Sequence, residues 1–351
     1  MSWMLDIARP DIRAIKPYEH ASWEPGLVRL HANELPWRQE ADASAGGLNR
    51  YPEPHPLELA ARLAPLYGVA PECVLPGRGS DEAIDLLVRA WCRAGVDAVI
   101  TCPPTFGMYG VCARIQDAAV REVPLRRERG WALDVEGILA ATTPAVKLVF
   151  LCTPNNPTGN SIAQADILRL AEALAGRALL VVDEAYADFS AAPSCATLLG
   201  SHPGVVVLRT LSKAHALAGV RCGVALADPE VIALMRRIVP PYALTQLSIE
   251  AVERALEPAA LERTRERIAG IVAERARVAA ALAGLPGVLR VWPSDANFLL
   301  VEFADAADAV ARTHAAGLLV RDFRRTPGLE RTLRITIGSA EQNARLLGSL
   351  A

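Results

Sequence analysis

Short apolar runs with almost no polar alternation constrain this chain more than any other feature. Leu179 to Val182 and Val205 to Leu208 are uninterrupted, which suits strands covered on both faces rather than strands with one wet side. From about residue 77 such runs alternate with helical stretches: "SDEAIDLLVRAWCRAG", "DAVITCPP", "YGVCARIQDA", "AVKLVFLCTP", "ADILRLAEALAG", "ALLVVDEAY" and "GVVVLRTLS". The pattern predicts an α/β fold, a mostly parallel sheet wrapped by helices. Sheets of this kind bind ligands outside the carboxyl ends of their strands. Polar clusters fall in those positions: "TPNNPTG" follows "KLVFLC", "DEAY" follows "ALLVV", and "TLSK" follows "VVVLR".

At 351 residues the chain exceeds what one core comfortably serves, so a large domain plus a smaller one is expected. After about residue 240, "LERTRERIAGIVAERARVAAALAGL" reads as one long charged helix leading to a second, α+β unit. There "NFLLVEF", "GLLVRDF" and "TLRITIG" read as strands, with "DAADAVARTHAAG" helical between them. A net charge of −2 offers no field for nucleic acid or anionic lipid, so small molecules are the expected partners. No segment approaches the roughly 18 unbroken apolar residues of a membrane span. The seven cysteines are scattered without a CxxC, and the expected setting is the cytoplasm, with the thiols reduced.

Asp183 ends an apolar strand, where it either caps the following turn or meets a cation such as a protonated pyridine nitrogen. Tyr186 could bring a phenol to the same ligand. Asn156 ends the neighbouring strand with an amide donor, or makes an Asx turn. Gly77 and Gly79 precede a helix opening near Ser80, whose free N–H groups and positive dipole end would seat a phosphate. Thr210 and Ser212 could add hydroxyls and Arg221 a bidentate clamp. Lys213 stands in "RTLSKAHALAGVRCG", a stretch with no acid at all. A free lysine near its reference pKa of about 10.4 is a poor nucleophile, whereas one condensed with an aldehyde is released as a base once a substrate displaces it.

"TLSKAHALAGVRCG", "TPNNPTG", "DEAY" and "PGRGSDEA" together resemble the fold-type I pyridoxal-phosphate aminotransferases, specifically the histidinol-phosphate aminotransferase family. "HANELPW", "LNRYPEP", "PPTFGMYG", "SDANFLLVEF" and "LRITIGS" extend the resemblance over nearly the whole chain. It implies pyridoxal 5'-phosphate with its aldehyde on Lys213, its ring nitrogen paired with Asp183, and its 3-hydroxyl held by Asn156 and Tyr186. It further implies a phosphate on the Gly79, Ser80 and Asp81 amides with Thr210, Ser212 and Arg221, and Tyr109 stacked on the pyridine face. Tyr51 matches a residue that reaches the cofactor phosphate of a partner subunit, so a homodimer with a shared site is implied. The implied division is an N-terminal segment 1–40 packing with the small domain and the dimer partner, a large cofactor-binding domain 41–240, and a small domain 241–351. The chain departs from the family at His215, Arg78 and Leu35, where Phe, Asn and Asn are usual. His215 reads as a packed helix residue, and Arg78 either tunes cofactor affinity or is solvated.

Arg334 matches the family residue that grips the anion of either substrate, and Arg321 a second anion-binding arginine. Histidinol phosphate offers a dianion, for which two convergent guanidiniums suit better than for a lone carboxylate. Tyr18 could add a hydroxyl and Asn33 could line the pocket. Three readings follow. The first is transfer of the amino group of L-histidinol phosphate to 2-oxoglutarate, giving imidazole-acetol phosphate and glutamate in histidine biosynthesis. The second is a relative of different specificity, an aromatic-amino-acid aminotransferase or a phosphothreonine decarboxylase. The third is a non-enzymatic module sensing the cofactor, which the charge balance disfavours.

Overall fold

The computed structural model describes residues 2–22, 24 and 26–351. A large sheet contains β1 (Val74–Gly77), β2 (Ala98–Thr101), β3 (Ala119–Glu122), β4 (Val146–Cys152), β5 (Leu179–Asp183), β6 (Val205–Thr210) and β7 (Gly223–Leu226). Their order is β1-β7-β6-β5-β4-β2-β3. The five strands from β6 to β3 run parallel, while β7 lies antiparallel to both β6 and β1.

The unbroken apolar runs are explained by two cores, one on each face of this sheet. Leu180, Val182, Val205 and Val207 enter one, and Leu179, Val181, Val206 and Leu208 the other, as the two-residue period of a strand requires. The same alternation parts the two acids that end β5. Asp183 continues the face of Leu179 and Val181, and Glu184 turns to the opposite one.

On that opposite face Glu184 accepts from Arg209 (3.0 Å), the Ser194 hydroxyl (2.6 Å) and the Cys195 amide (2.6 Å). Arg209 also donates to Asp188 at 2.7 Å. Glu184 and Arg209 are both buried; this ion cluster fixes the turn after β5 against the strand that leads to Lys213.

The helices Trp3–Asp6 and Pro10–Ala14 depart from the expectation that residues 1–40 pack with the small domain. Met4, Ala8 and Ile12 are buried in the large unit with Trp91 and Met235, and the Trp91 indole donates to the Met4 carbonyl at 3.0 Å. The apolar face of these short helices finds its cover on the outer helices of the large sheet. The large unit also extends past residue 240, because Val252 in the helix Gln246–Ala255 joins the core that holds Leu59 and Leu63.

The long helix is Pro258–Ala283, and it leads to an antiparallel sheet of β8 (Val288–Val291), β9 (Phe298–Phe303), β10 (Arg321–Asp322) and β11 (Thr332–Thr336), in the order β10-β11-β9-β8. This sheet has two unlike faces. Leu299, Val301, Phe303, Leu333 and Ile335 pack with Val278, Leu282 and Leu346 of the unit's own helices. Phe298 and Leu300 face the other way, onto Tyr186 and the large core. Arg334 pairs with Leu300 in register and with Arg321 on its other side, so both arginines lie on the face turned to the large unit. Among the described residues no helix is long and apolar enough to cross a membrane.

Replacing Arg209 with Met strands the Glu184 carboxylate in the core. Urea unfolding is expected to show a loss of about 3–5 kcal/mol; a loss below about 1 kcal/mol, the worth of an exposed pair, contradicts a buried cluster.

Candidate active site

A cleft opens at the carboxyl ends of β4, β5 and β6. Its lining includes Gly79, Ser80, Asp81, Phe106, Cys152, Asn156, Asp183, Tyr186, Thr210, Ser212, Lys213 and Arg221. Nine of the residues singled out in the sequence as cofactor-binding, from the glycine loop through Lys213 and Arg221, therefore share one cleft with Asp183 on its floor.

Asp183 is almost wholly enclosed, at 2% exposure. One carboxylate oxygen accepts from the Tyr109 hydroxyl at 2.7 Å and the other from the Ala185 amide at 3.1 Å. Burial nevertheless pushes its pKa up to about 6, against the lowering effect of those two donors. Such a carboxylate keeps its charge only beside a cation.

Lys213 remains open to the cleft. Its surroundings hold the amine below the ordinary lysine range, chiefly by desolvation and then by the positive charge of Arg334. Its Nζ stands 5.8 Å from the Tyr186 ring centroid. Tyr186 packs edge-on against Phe298 of the small sheet, with centroids 5.1 Å apart, and its hydroxyl accepts from Asn156 Nδ2 at 3.3 Å. The Asn156 carbonyl accepts in turn from Arg334. The two asparagines of "NNPTG" divide the work. Asn155 builds the loop, bonding Pro104, Thr158 and Thr105, while Asn156 faces the cleft.

The helix Ser80–Trp91 begins at Gly79, which has φ 89 and offers no side chain to cap the first turn. A Cβ there would stand 2.9 Å from an Arg221 nitrogen. Across the loop, a Cβ on Gly223 would stand 2.5 Å from the Ser80 nitrogen, so β7 can approach the helix start only as glycine. Glu82 ties the loop from beneath by accepting from the Arg78 amide at 2.7 Å and from its guanidinium. Arg221, at φ 59, pairs with Asp81 at 3.5 Å. Thr210 Oγ1 accepts from the Ser212 amide at 3.2 Å, which shapes the turn before Lys213.

Tyr109 departs from expectation. It lies beneath the floor, fully buried and stacked on Phe150 at 4.9 Å with its hydroxyl committed to Asp183. The aromatic that lines the cleft is Phe106, edge-on to Tyr109 at 5.7 Å. Phe106 stands three residues before Tyr109, so "PPTFGMYG" supplies two rings in either of which a stacking role can be read. His215 also differs: it occupies a turn rather than a helix, and burial lowers its pKa.

Tyr18, Asn33 and Tyr51 do not join the cleft of their own chain. Tyr18 and Tyr51 are exposed, and Tyr51 stacks on Tyr242 at 4.6 Å. Asn33 and Tyr51 line a separate cleft. Glu34 binds their two segments together, accepting from the Tyr51 amide (2.7 Å), Arg50 (2.9 Å) and Arg29 (3.1 Å). Arg321 is exposed on the facing sheet beside Arg334.

The pattern of the family described as aminotransferase class I and II matches residues 29–350. The chain belongs to that family. The histidinol-phosphate aminotransferase of Stenotrophomonas maltophilia is 53% identical over 99% of this chain and 96% of its own. The protein of the same name from Xanthomonas euvesicatoria pv. vesicatoria is 51% identical, over 99% and 97%. A solved histidinol-phosphate aminotransferase from Sinorhizobium meliloti, in complex with pyridoxal-5'-phosphate, superimposes with a TM-score of 0.77 at 27% identity, over 87% of this chain and 83% of that one. The L-threonine-O-3-phosphate decarboxylase of Porphyromonas gingivalis gives 0.74 at 25% identity, over 86% and 90%.

This aminotransferase's cleft fits a phosphorylated pyridine aldehyde. It pairs a buried carboxylate that needs a cation, an amine of lowered basicity, and an uncapped helix start that a Cβ at Gly79 or Gly223 would obstruct. The signal for Gly223 was present in "VRCG", but its reason is tertiary.

In cofactor-free protein, burial raises the folded pKa of Asp183 above its ordinary value of 3.8. Its contribution to stability is therefore full below the unfolded value and lost as pH rises through about 6. Tyr109→Phe removes a donor that favours the charged form, so the Asp183 midpoint, followed by carbon NMR of labelled aspartate, is expected to move above that of wild type. A midpoint unchanged or lower contradicts the role given to Tyr109.

Proposed function

We propose that this aminotransferase moves the amino group of L-histidinol phosphate to 2-oxoglutarate, using pyridoxal 5'-phosphate, and so serves histidine biosynthesis in the cytoplasm. The observation that carries the substrate reading is the register of β10 on β11, which sets Arg321 directly opposite Arg334 on the face turned to the cleft. Like charges directly across a strand pair repel. Neither arginine has a carboxylate partner among the described residues, and burial first, then the charge of Arg321, lowers the pKa of Arg334. A pair held in that state is relieved by an anion, and best by a dianion that each guanidinium can fork.

The cofactor supplies an electron-accepting ring. Asp183, its carboxylate fixed by Tyr109, would keep the ring nitrogen protonated. Asn156 and Tyr186 would hold its 3-hydroxyl. The Gly79, Ser80 and Asp81 amides, the Thr210 and Ser212 hydroxyls, and Arg221 would hold its phosphate, and Phe106 would cover its face. Lys213 Nζ would hold its aldehyde when no substrate is bound. Freed by the substrate amine, Lys213 would be the base that takes the proton from the substrate carbon and the acid that returns it on the cofactor side, its basicity moderated by desolvation.

The active form we propose is a homodimer. Val28, Leu30, Leu35 and Trp37 are at least two-thirds exposed, a run of apolar surface that a second copy would cover. Glu34 presents Asn33 and Tyr51 beside it, so Tyr51 would reach the phosphate held by the second copy, and Tyr18 and Asn33 its substrate. The alternative, action on aromatic amino acids, shares every group on the cofactor side and differs only in the use of Arg321.

A transamination assay decides between them. Arg321→Ala is expected to cost about tenfold to a hundredfold in kcat/KM on histidinol phosphate, the worth of a charge-assisted contact, and distinctly less on phenylalanine. Equal losses contradict the selectivity.

A further inference from the structure

Arg127 is none of the residues assigned above, yet it is one of the points at which the large unit holds the small sheet. It belongs to the turn Arg127–Arg129, between β3 and the helix Val135–Ala141. Its guanidinium donates to the Gly328 carbonyl at 2.7 Å and to Glu302 at 2.8 Å, both in the small unit. It also stands 5.5 Å from the ring centroid of Trp131 and 5.7 Å from that of Trp292. The two indoles, one from each unit, lie 5.2 Å apart and are almost wholly buried. Trp131 holds φ 66, a conformation costly for a bulky residue unless its surroundings impose it.

What Arg127 grips is the face that carries the substrate arginines. Glu302 pairs in register with Thr332, and Leu300 with Arg334, so Glu302, Leu300, Thr332 and Arg334 share one face. Gly328 leads into β11 just ahead of them. The Arg127 guanidinium thus pins one end of that face to the large unit, while Arg334 meets Asn156 at the other.

We infer that Arg127 is a positioning residue for the substrate anion, setting the small sheet against the large unit at the height where Arg334 and Arg321 meet their ligand across the cleft. The inference rests on the reading of those two arginines as anion-binding. Displacing a binding group by about an ångström costs far more than the lost contact alone suggests.

The test uses pyridoxal-phosphate-loaded enzyme and inorganic phosphate as an inert anion, with its dissociation constant measured by calorimetry. Arg127→Met keeps the apolar stem and removes the clamp. It is expected to raise that constant and the KM of both substrates about tenfold, to leave kcat within about twofold, and to leave the cofactor absorbance unchanged. Glu302→Gln is expected to act in the same direction, and the double variant to be no worse than Arg127→Met alone. Arg127→Lys, which retains the charge facing Glu302, is expected to recover part of the affinity. Unchanged phosphate affinity in Arg127→Met, with or without a lower melting temperature, overturns the inference if Arg334→Ala does weaken phosphate binding. If Arg334→Ala leaves phosphate binding unaltered, the anion reading itself fails and this inference fails with it.

Discussion

A carboxylate closed off from solvent at the end of a parallel strand must find a cation or surrender its charge, and Asp183 is held in that condition by everything around it. The two-residue period of β5 turns it toward Tyr109 and Phe150 instead of toward Arg209, which the next residue, Glu184, takes. The donors from Tyr109 and Ala185 fix the direction of the carboxylate without supplying a positive charge. The cleft above is therefore built to receive one, and a phosphorylated pyridine aldehyde would offer its ring nitrogen to the carboxylate, its aldehyde to Lys213 and its phosphate to the orphan N–H groups.

The second dependence is geometric. The small sheet has its own core on one face and gives the other to the large unit, so the arginines that would hold substrate are placed by packing rather than by a flexible loop. Arg334 reaches Asn156, which reaches Tyr186, whose ring rests on Phe298 of the same small sheet. Groups assigned to the substrate anion and groups assigned to the cofactor thus form one closed circuit across the boundary between the units. An anion drawn to Arg334 acts on a side chain already bonded to the cofactor's surroundings.

Much of this was legible in the sequence because it is local. An apolar run ending in "DEAY" or "TPNNPTG" marks a strand end with polar groups, and a strand end in a parallel sheet is where ligands sit. What escaped is tertiary. Phe106 and Tyr109 lie on one short stretch, and only the packing of Tyr109 on Phe150 decides which ring lines the cleft. Gly223 matters because another strand's neighbour passes 2.5 Å from where its Cβ would be. The first helices bury Met4, Ala8 and Ile12 against the large unit, which no periodicity in so few residues could assign to one partner over another. The paired arginines of β10 and β11 were visible singly, but their opposition comes from register, which a two-residue strand does not announce.

The central claim is that the amine of Lys213 is the group on which the cofactor aldehyde is held. The most direct measurement is borohydride reduction of the enzyme after loading with pyridoxal 5'-phosphate, followed by mass mapping of the modified peptide beside the near-visible absorbance. A single adduct on Lys213, with the absorbance lost on reduction, is the predicted result. No band, or an adduct carried by Lys16 or Lys147 while Lys213 stays unmodified, would contradict it.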